Sequence, residues 1–205
     1  IHSGQRETAI DIYQALVGAH PDNDRLRLNL AGLYWDTEDA EKAEEILAPL
    51  VNNADRGRQE RLQLARFFIR HGSVDRAEAE LRQGLEATPS DVQLRIQLAD
   101  LFLQQKQYET ALDIIEEGAR QKEDLLLSDY QALANAKARV RFISGDVSGA
   151  LKTADAVLND DPQQAGALSI KGQIFIKQGR GHEAISIFRE RLQRKPRDVG
   201  TYLHL

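Results

Sequence analysis

The chain has 205 residues, of which 41% are hydrophobic and 29% are charged, and its net charge at pH 7 is −5. The absence of cysteine excludes disulfides, cysteine-ligated zinc and thiol catalysis. No apolar run approaches the length that spans a membrane. Charge is uneven along the chain, since residues 165–205 carry 8 basic and only 3 acidic side chains.

A small residue recurs at a nearly constant interval along the whole chain. The recurring alanines are Ala9, Ala43, Ala77, Ala111, Ala150 and Ala184. Their successive gaps are 34, 34, 34, 39 and 34 residues, and a second small residue stands twelve positions before each alanine from Ala43 onward. Apolar residues three, four and seven positions from these columns share one helical face. The spacing therefore predicts a stack of two-helix repeats that cross closely at their small residues.

In chain order, the pattern predicts half a repeat, five full repeats and the start of another. The predicted segments are 1–23, 24–57, 58–91, 92–130, 131–164, 165–198 and 199–205. The segment 92–130 holds a five-residue insertion near Gly118–Tyr130. Repeat 131–164 is the weakest, because Lys137 and Arg141 replace apolar residues. Since the pattern begins and ends within a repeat, we expect a fragment of a longer array.

Prolines, capping residues and glycines predict where the helices begin and end. Four prolines stand where a second helix should stop, namely Pro21, Pro89, Pro162 and Pro196. Residues suited to capping the next helix follow them, at Asp22–Asp24, Ser90–Asp91 and Asp198. Glycines mark turns within the helix pairs at Gly72, Gly145 and Gly179. Pro49 falls inside a predicted second helix and should shorten or bend it.

With these columns, the chain resembles the tetratricopeptide repeat family over nearly all of its length. Its Gln-, Arg- and Ala-rich composition is similar to that of long bacterial arrays. The resemblance implies an all-α fold, a right-handed superhelical solenoid of antiparallel helix pairs whose first helices line a concave groove. Some members bind acidic chaperone C-termini through a Lys/Asn clamp. That clamp is missing here, since the corresponding positions hold Leu28, Gly32, Gln63, Gln93 and Gln97.

The groove implied by the resemblance is the predicted binding site for a protein or an extended peptide. Its predicted lining residues are Asn29, Trp35, Gln63, Arg66, Ile69, Gln97, Asp100, Leu103, Arg139 and Gln173. Carboxamides suit the backbone of an extended peptide, and apolar side chains beside them suit its side chains. The alternative is that Trp35, Ile69 and Leu103, together with the Leu28, Leu62 and Ile96 column, only pack between adjacent repeats.

Three arginines share one column early in the first helices, at Arg27, Arg61 and Arg95. One interpretation is a ladder of cations for an anionic ligand. The other is structural: the stems cover apolar surface, and the guanidinium groups pair with acids such as Asp24, Glu60 and Asp91.

The sequence offers no catalytic set, cofactor motif or metal-ligand spacing, and its five histidines form no i, i+4 pair. We therefore expect a non-enzymatic scaffold without cofactor or metal. Two alternatives remain open. The chain could be a structural or regulatory periplasmic arm of a larger bacterial envelope or exopolysaccharide export machine, which would favour the periplasm over the cytoplasm.

The second alternative is that the basic C-terminal end binds an anionic polymer. Its cations are Arg189, Arg191, Arg194, Lys195 and Arg197. Nucleic acid is disfavoured as that polymer, because the net charge of the chain is negative and no aromatic platform accompanies the basic run.

Overall fold

The computed structural model describes residues 3–53, 55–120 and 125–194. This part of the chain folds into helices joined by short turns. The helices are α1 (Ser3–Ala19), α2 (Asp24–Asp36), α3 (Ala40–Val51), α4 (Arg58–Arg70), α5 (Val74–Ala87), α6 (Val92–Gln104), α7 (Tyr108–Ala119), α8 (Leu127–Ser144), α9 (Val147–Asp160), α10 (Ala165–Lys177) and α11 (Gly181–Arg194). The prediction of an all-α fold of helix pairs is confirmed. Residues 195–205, with Pro196, Asp198 and the start of a further repeat, lie outside the described part.

The chain divides into two compact units, Ile1–Thr88 (unit 1) and Pro89–Leu205 (unit 2). In unit 1, α1 packs on α2, and the pairs α2/α3 and α4/α5 form hairpins. In unit 2, the hairpins are α6/α7, α8/α9 and α10/α11. In both units the first helices of neighbouring hairpins also contact each other, α2 with α4 and α6 with α8.

The columns of small residues form the closest helix contacts in the core. The alanines from Ala43 to Ala184 are at most 1% exposed, as are Ala31, Ala65, Ala99 and Ala138 in the first helices. The aromatic column is buried as well, at Tyr34, Phe68, Phe102 and Phe175. A Cβ added to Gly172, the last member of the small column, would lie 2.2 Å from the Phe188 ring. Helix crossing at small residues is therefore the rule in both units.

Helix ends follow the predicted capping chemistry. Pro21, Pro89 and Pro162 each lie two residues beyond a helix end. Asn23 caps α2 by accepting from the Leu26 N–H, and Asp91 caps α6 by accepting from the N–H groups of Gln93 and Leu94. These side chains satisfy donors that have no partner within the helix.

Every turn between paired helices uses the left-handed backbone region at the same repeat position. That position, seven residues after the small residue of the first helix, holds Glu38, Gly72, Lys106, Gly145 and Gly179, with φ between 61° and 98°. Glycine adopts this conformation without a steric cost, whereas a side chain with a Cβ does not. The three predicted turn glycines are confirmed, and Glu38 and Lys106 occupy the same backbone state under strain.

The bounds of the helices show how the chain accommodates two irregular features of the sequence, Pro49 and the five-residue insertion. Helix α3 continues through Pro49 and ends at Val51, two residues earlier relative to the alanine column than α5 or α9. Since α7 stops at the same relative position without a proline, Pro49 is not needed to explain the early end. The insertion mainly lengthens α8, which begins four residues earlier than the other first helices relative to its small residue Ala138.

The polar substitutions in the weak repeat each have a partner on a neighbouring helix. Lys137 Nζ lies 2.7 Å from Glu116 Oε1 on α7, and the hydrogen bond from Lys137 lowers the pKa of that carboxyl. Arg141 donates to Thr153 Oγ1 on α9 at 2.9 Å. Polar contacts between helices thus replace the apolar contacts of a regular repeat.

Candidate functional site

A groove runs along the facing sides of α2 and α4 in unit 1. It consists of three depressions that share residues, one at the helix starts, one in the middle and one at the helix ends. The middle depression has a volume of about 400 Å³ and is lined by Arg25, Leu28, Asn29, Gln63, Arg66, Phe67 and Arg70. Helical periodicity positions them, because residues three and four apart share a face of α2 or α4.

The floor of the middle groove is apolar and its walls are polar. Phe67 is 5% exposed and Leu28 is half-buried. Asn29 and Gln63 are exposed on the two helices. Asn29 Nδ2 donates to the Tyr13 hydroxyl at 3.4 Å, which leaves Asn29 Oδ1 able to accept a hydrogen bond from a bound molecule. Two carboxamides above an apolar floor can satisfy a peptide backbone while side chains are buried.

An aromatic cluster closes the groove at the helix ends. Trp35 is half-buried against Phe67 and His71, with ring centroids 5.8 Å and 5.6 Å away. His71 Nδ1 lies 3.9 Å from Asp36 Oδ1. Burial lowers the pKa of His71, which Asp36 partly offsets. The site has room for a side chain at Gly32, since a Cβ there would make only ordinary contacts with His71 and Phe67.

The opposite end of the groove, at the helix starts, carries the acidic side chains Asp22, Asp24 and Glu60. Acidic side chains therefore stand at both ends of the groove, since Asp36 lines the depression at the helix ends. Glu60 lies over the start of its own helix, where carboxylates interact favourably with the helix dipole. Asp24 and Glu60, both in the first turn of their helices, thus have a local structural role that needs no ligand.

The predicted site residues are divided among different environments. Asn29, Gln63 and Arg66 line the groove of unit 1. Trp35 and Ile69 are half-buried, and Trp35 packs within the aromatic cluster. The ring contacts of Trp35 fit the packing alternative stated for it above, and they concern this residue alone.

The predicted residues of unit 2 lie on α6, α8 and α10. Asp100 on α6 and Arg139 on α8 form an ion pair between the two helices. Burial raises the pKa of Asp100, and the charge of Arg139 opposes that shift. Leu103 is 9% exposed, while Gln97 and Gln173 are half-buried. These residues contribute to contacts within unit 2.

Arg61 and Arg95 of the arginine ladder are buried inside their own hairpins, with 4% and 7% exposure. Arg61 donates to Glu80 Oε1 and Gln83 Oε1, both at 3.0 Å. Arg95 donates to Glu117 Oε2 at 3.1 Å. The ladder therefore does not present three exposed cations to a ligand, and the structural interpretation fits the geometry.

All three ladder arginines also hold the loop that precedes their helix. The bonds are Arg27 Nη2 to Pro21 O at 2.7 Å, Arg61 Nε to Arg56 O at 3.2 Å and Arg95 Nη2 to Pro89 O at 2.8 Å. The acids that pair with Arg61 and Arg95 are Glu80 and Glu117, and each lies on the second helix of its hairpin. Asp24, Glu60 and Asp91, the partners expected from the sequence, lie instead at or beside the start of the first helix.

A buried charge cluster results around Glu80 in unit 1. Arg56 and Arg61 both contact the Glu80 carboxylate, at 2.6 Å and 3.0 Å, and all three residues are at most 7% exposed. Buried ion pairs with complete hydrogen bonding are tolerated, whereas removal of one partner leaves a charge uncompensated.

Sequence reasoning missed Arg25, Phe67 and Arg70 in the middle depression, and Leu33, Asp36 and His71 at the helix ends. It also missed the sequence feature that allows Arg61 and Arg95 to be buried within their own hairpins. A Cβ at Gly118 would lie 2.3 Å from Arg95 Cδ, so this glycine makes room for the arginine stem. The equivalent position opposite Arg61 is Gly84, which is buried in α5. A glycine in the second helix is therefore the sequence mark of a buried arginine.

In the part of the chain that the structure describes, no group of three or more His, Asp or Glu side chains has the geometry to hold a metal ion. None of the helices in that part combines the length and apolarity needed to cross a bilayer. Of the basic C-terminal run, Arg189 is exposed, and the side chains of Arg191, Arg194, Lys195 and Arg197 lie outside the described set.

Solved structures of the same architecture are known, although their sequences are only distantly similar to this one. No curated protein matches the sequence significantly. A tetratricopeptide repeat protein from Parabacteroides merdae superposes with a TM-score of 0.60 at 13% identity, over 93% of this chain and 73% of that chain. A thermophilic TPR protein of Thermus thermophilus superposes with a TM-score of 0.60 at 18% identity, over 88% and 96%. These likenesses show the fold.

Family models give the assignment from sequence. Three tetratricopeptide repeat models match residues 1–65, 58–101 and 135–199. The gap between the second and third match contains the insertion before α8. Together with the helix pairs and their buried small columns, these matches show that the chain belongs to the tetratricopeptide repeat family.

Proposed function

We propose that the groove between α2 and α4 binds an extended segment of a partner protein. Tetratricopeptide repeats support a role as a protein-interaction scaffold in general, and this fold is typical of non-enzymatic proteins. The observation that carries the proposal is the lining of the middle groove, where Asn29 and Gln63 stand exposed above the apolar floor of Leu28 and Phe67.

The groove suits a chain in an extended conformation because its three depressions follow one another along two helices. Each helix has 13 residues, which corresponds to about 20 Å at the usual rise per residue. An extended peptide of about six residues covers that length. Its backbone groups on one edge can bond to the carboxamides, and its alternate side chains point toward the floor.

The test is a selection of random twelve-residue peptides displayed on phage against the 205-residue protein. A matched pair of tyrosine substitutions then locates the site. Gly32→Tyr places a ring over the groove, while Ala79→Tyr places the same ring at an exposed position of α5. We expect selected peptides to lose binding to Gly32→Tyr and to keep binding to Ala79→Tyr.

Circular dichroism would show that both variants keep the helical content of the parent protein. Peptides that bind Gly32→Tyr as well as the parent would contradict a site in this groove. Failure of the parent protein to enrich any peptide would contradict peptide binding altogether.

A further inference from the structure

The middle of the groove carries three guanidinium groups that no described side chain neutralises. Arg25, Arg66 and Arg70 are exposed, and within the described residues none of them forms an ion pair or a hydrogen bond. Other arginines of unit 1 do find partners. Arg76 pairs with Glu44, and Arg82 pairs with Glu78.

Among the described residues, no carboxylate lines the middle depression itself. The acids of the groove stand at its two ends, with Asp36 beside His71 at one end and the acidic group of Asp22, Asp24 and Glu60 at the other. Three like charges that converge on one depression repel each other, and an anion bound between them would relieve that repulsion. Charge complementarity therefore indicates an anionic occupant at the centre of the groove.

The spacing of two arginines fits an extended peptide. Arg66 and Arg70 are one turn apart on α4, a rise of about 6 Å along the helix. In an extended chain, side chains two residues apart point to the same side and are separated by about 6.5–7 Å. Carboxylates at positions i and i+2 of a peptide lying along α4 would each meet one guanidinium group, which binds carboxylates in a bidentate geometry.

We infer that the groove selects a peptide segment in which two acidic residues are separated by one other residue. This inference rests on the proposed function, since it names the chemistry of the segment that occupies the groove. The intervening residue points away from α4 toward Leu28 or solvent. Arg25, on the opposite wall, adds a third cation for a carboxylate on that side.

A peptide is favoured over a phosphate polymer by the rest of the lining. Asn29 and Gln63 alternate with the arginines and provide both donors and acceptors, whereas a phosphodiester backbone offers acceptors only. The floor formed by Leu28 and Phe67 is apolar, and a polyanion without apolar groups would gain no favourable contact with it.

The experiment uses the peptides selected from the random twelve-residue library. Their sequences should show acid–x–acid, and fluorescence anisotropy should show that replacing both acids by glutamine weakens binding at least about tenfold. Arg66→Gln combined with Arg70→Gln should weaken binding by a similar factor. The matched control, Arg76→Gln combined with Arg82→Gln, removes the same charge from α5 and should leave the affinity within about twofold of the parent.

The outcomes separate this inference from the proposed function. Peptides that need the groove but lack the acidic pair, or that bind the Arg66/Arg70 double variant unchanged, would overturn the inference and leave peptide binding standing. Absence of any groove-dependent peptide would overturn both. Stronger binding of a twelve-residue oligouridylate or of phosphatidylserine vesicles to the same arginines would overturn the inference in favour of a phosphate ligand.

Discussion

The two units use the same repeat position in opposite ways. The residue directly after the small residue of the first helix is Gly32 or Arg66 in unit 1, and Asp100, Arg139 or Gln173 in unit 2. In unit 2 the two neighbouring first helices are linked there by the Asp100–Arg139 ion pair. In unit 1 the first partner is a glycine, so Arg66 has no acid opposite it. The position thus stabilises helix packing in one unit and supplies free charge in the other.

A second contrast exists between arginines of the same unit. Arg61 is buried in the cluster with Arg56 and Glu80, while Arg66, little more than one turn further along α4, is exposed in the groove. A guanidinium group on a first helix therefore acts in packing or in binding according to the side of the helix on which it stands. Substitutions can test each side of this comparison.

The largest effect is expected from Glu80→Gln, which leaves Arg56 and Arg61 charged and buried without a counter-ion. Breaking a buried pair in this way costs about 3–5 kcal/mol in the free energy of unfolding. Urea denaturation followed by circular dichroism measures it. The unit 2 counterpart, Glu117→Gln, acts on a side chain that is 66% exposed and should cost below about 1 kcal/mol. Equal losses for the two variants would contradict the contrast in burial.

Overpacking of the small column should rank second. Ala99 is fully buried where α6 and α7 cross. Ala99→Leu should cost about 1–3 kcal/mol, because the added methyl groups have no space at a close helix contact. Thermal unfolding measures the change, and a melting temperature equal to that of the parent would show that the register of the column is wrong at this point.

Gly32→Asp should give unit 1 the ion pair of unit 2. The new carboxylate would stand relative to Arg66 as Asp100 stands relative to Arg139, and neutralising Arg66 should weaken the selected acidic peptides about tenfold. Fluorescence anisotropy measures the affinity, and Gly32→Asn is the uncharged comparison at the same site. If both variants weaken binding equally, the effect is steric and the charge comparison fails.

The turns between paired helices allow a smaller test in each unit. Lys106→Gly in unit 2 and Glu38→Gly in unit 1 should each stabilise the protein by up to about 1 kcal/mol, since glycine relieves the cost of a left-handed backbone. Gly72→Ala should destabilise it by a similar amount, as a Cβ there meets no atom within 4 Å and only the backbone strain is added. A loss of stability in Lys106→Gly would show that its side chain outweighs the strain.

The smallest expected effect concerns pH and the groove histidine of unit 1. Burial lowers the pKa of His71 below its ordinary value of 6.5, so folding favours the neutral ring. Stability should therefore be complete above pH 6.5 and should decline as the pH falls below that value, because the unfolded chain binds the proton more readily. Urea midpoints between pH 5 and 8 measure the decline, and His71→Gln should flatten it. A parallel profile for the variant would exclude His71 as the cause.

Much of the fold could be predicted because one small residue per helix recurs five times. Each of Ala43, Ala77, Ala111 and Ala150 marks a close helix contact, and repetition separates that signal from chance. Turn glycines and capping residues gave the helix ends for the same reason, since their backbone requirements are local. The lengthening of α8 was not predicted, because an insertion carries no mark that distinguishes a longer helix from a longer loop.

The candidate site was predicted only in part. Asn29, Gln63 and Arg66 were found from the inward stripe of the first helices. Phe67 and Arg70 were missed because the groove follows the approach of α2 to α4, which depends on how two helices pack and not on the periodicity of either one. Arg61 and Arg95 were left with two interpretations, since their partners Glu80 and Glu117 stand 19 and 22 residues later, on another helix.

The match between Arg95 and Gly118 has a consequence for how such a protein can change over time. A side chain at Gly118 would meet the arginine stem, and a smaller residue at Arg95 would leave both a void and unpaired loop carbonyls. The two positions are therefore constrained to change together. Because both lie within one hairpin, as do Arg61 and Gly84, duplication of a whole repeat transmits the pair intact, whereas recombination within a hairpin would separate it.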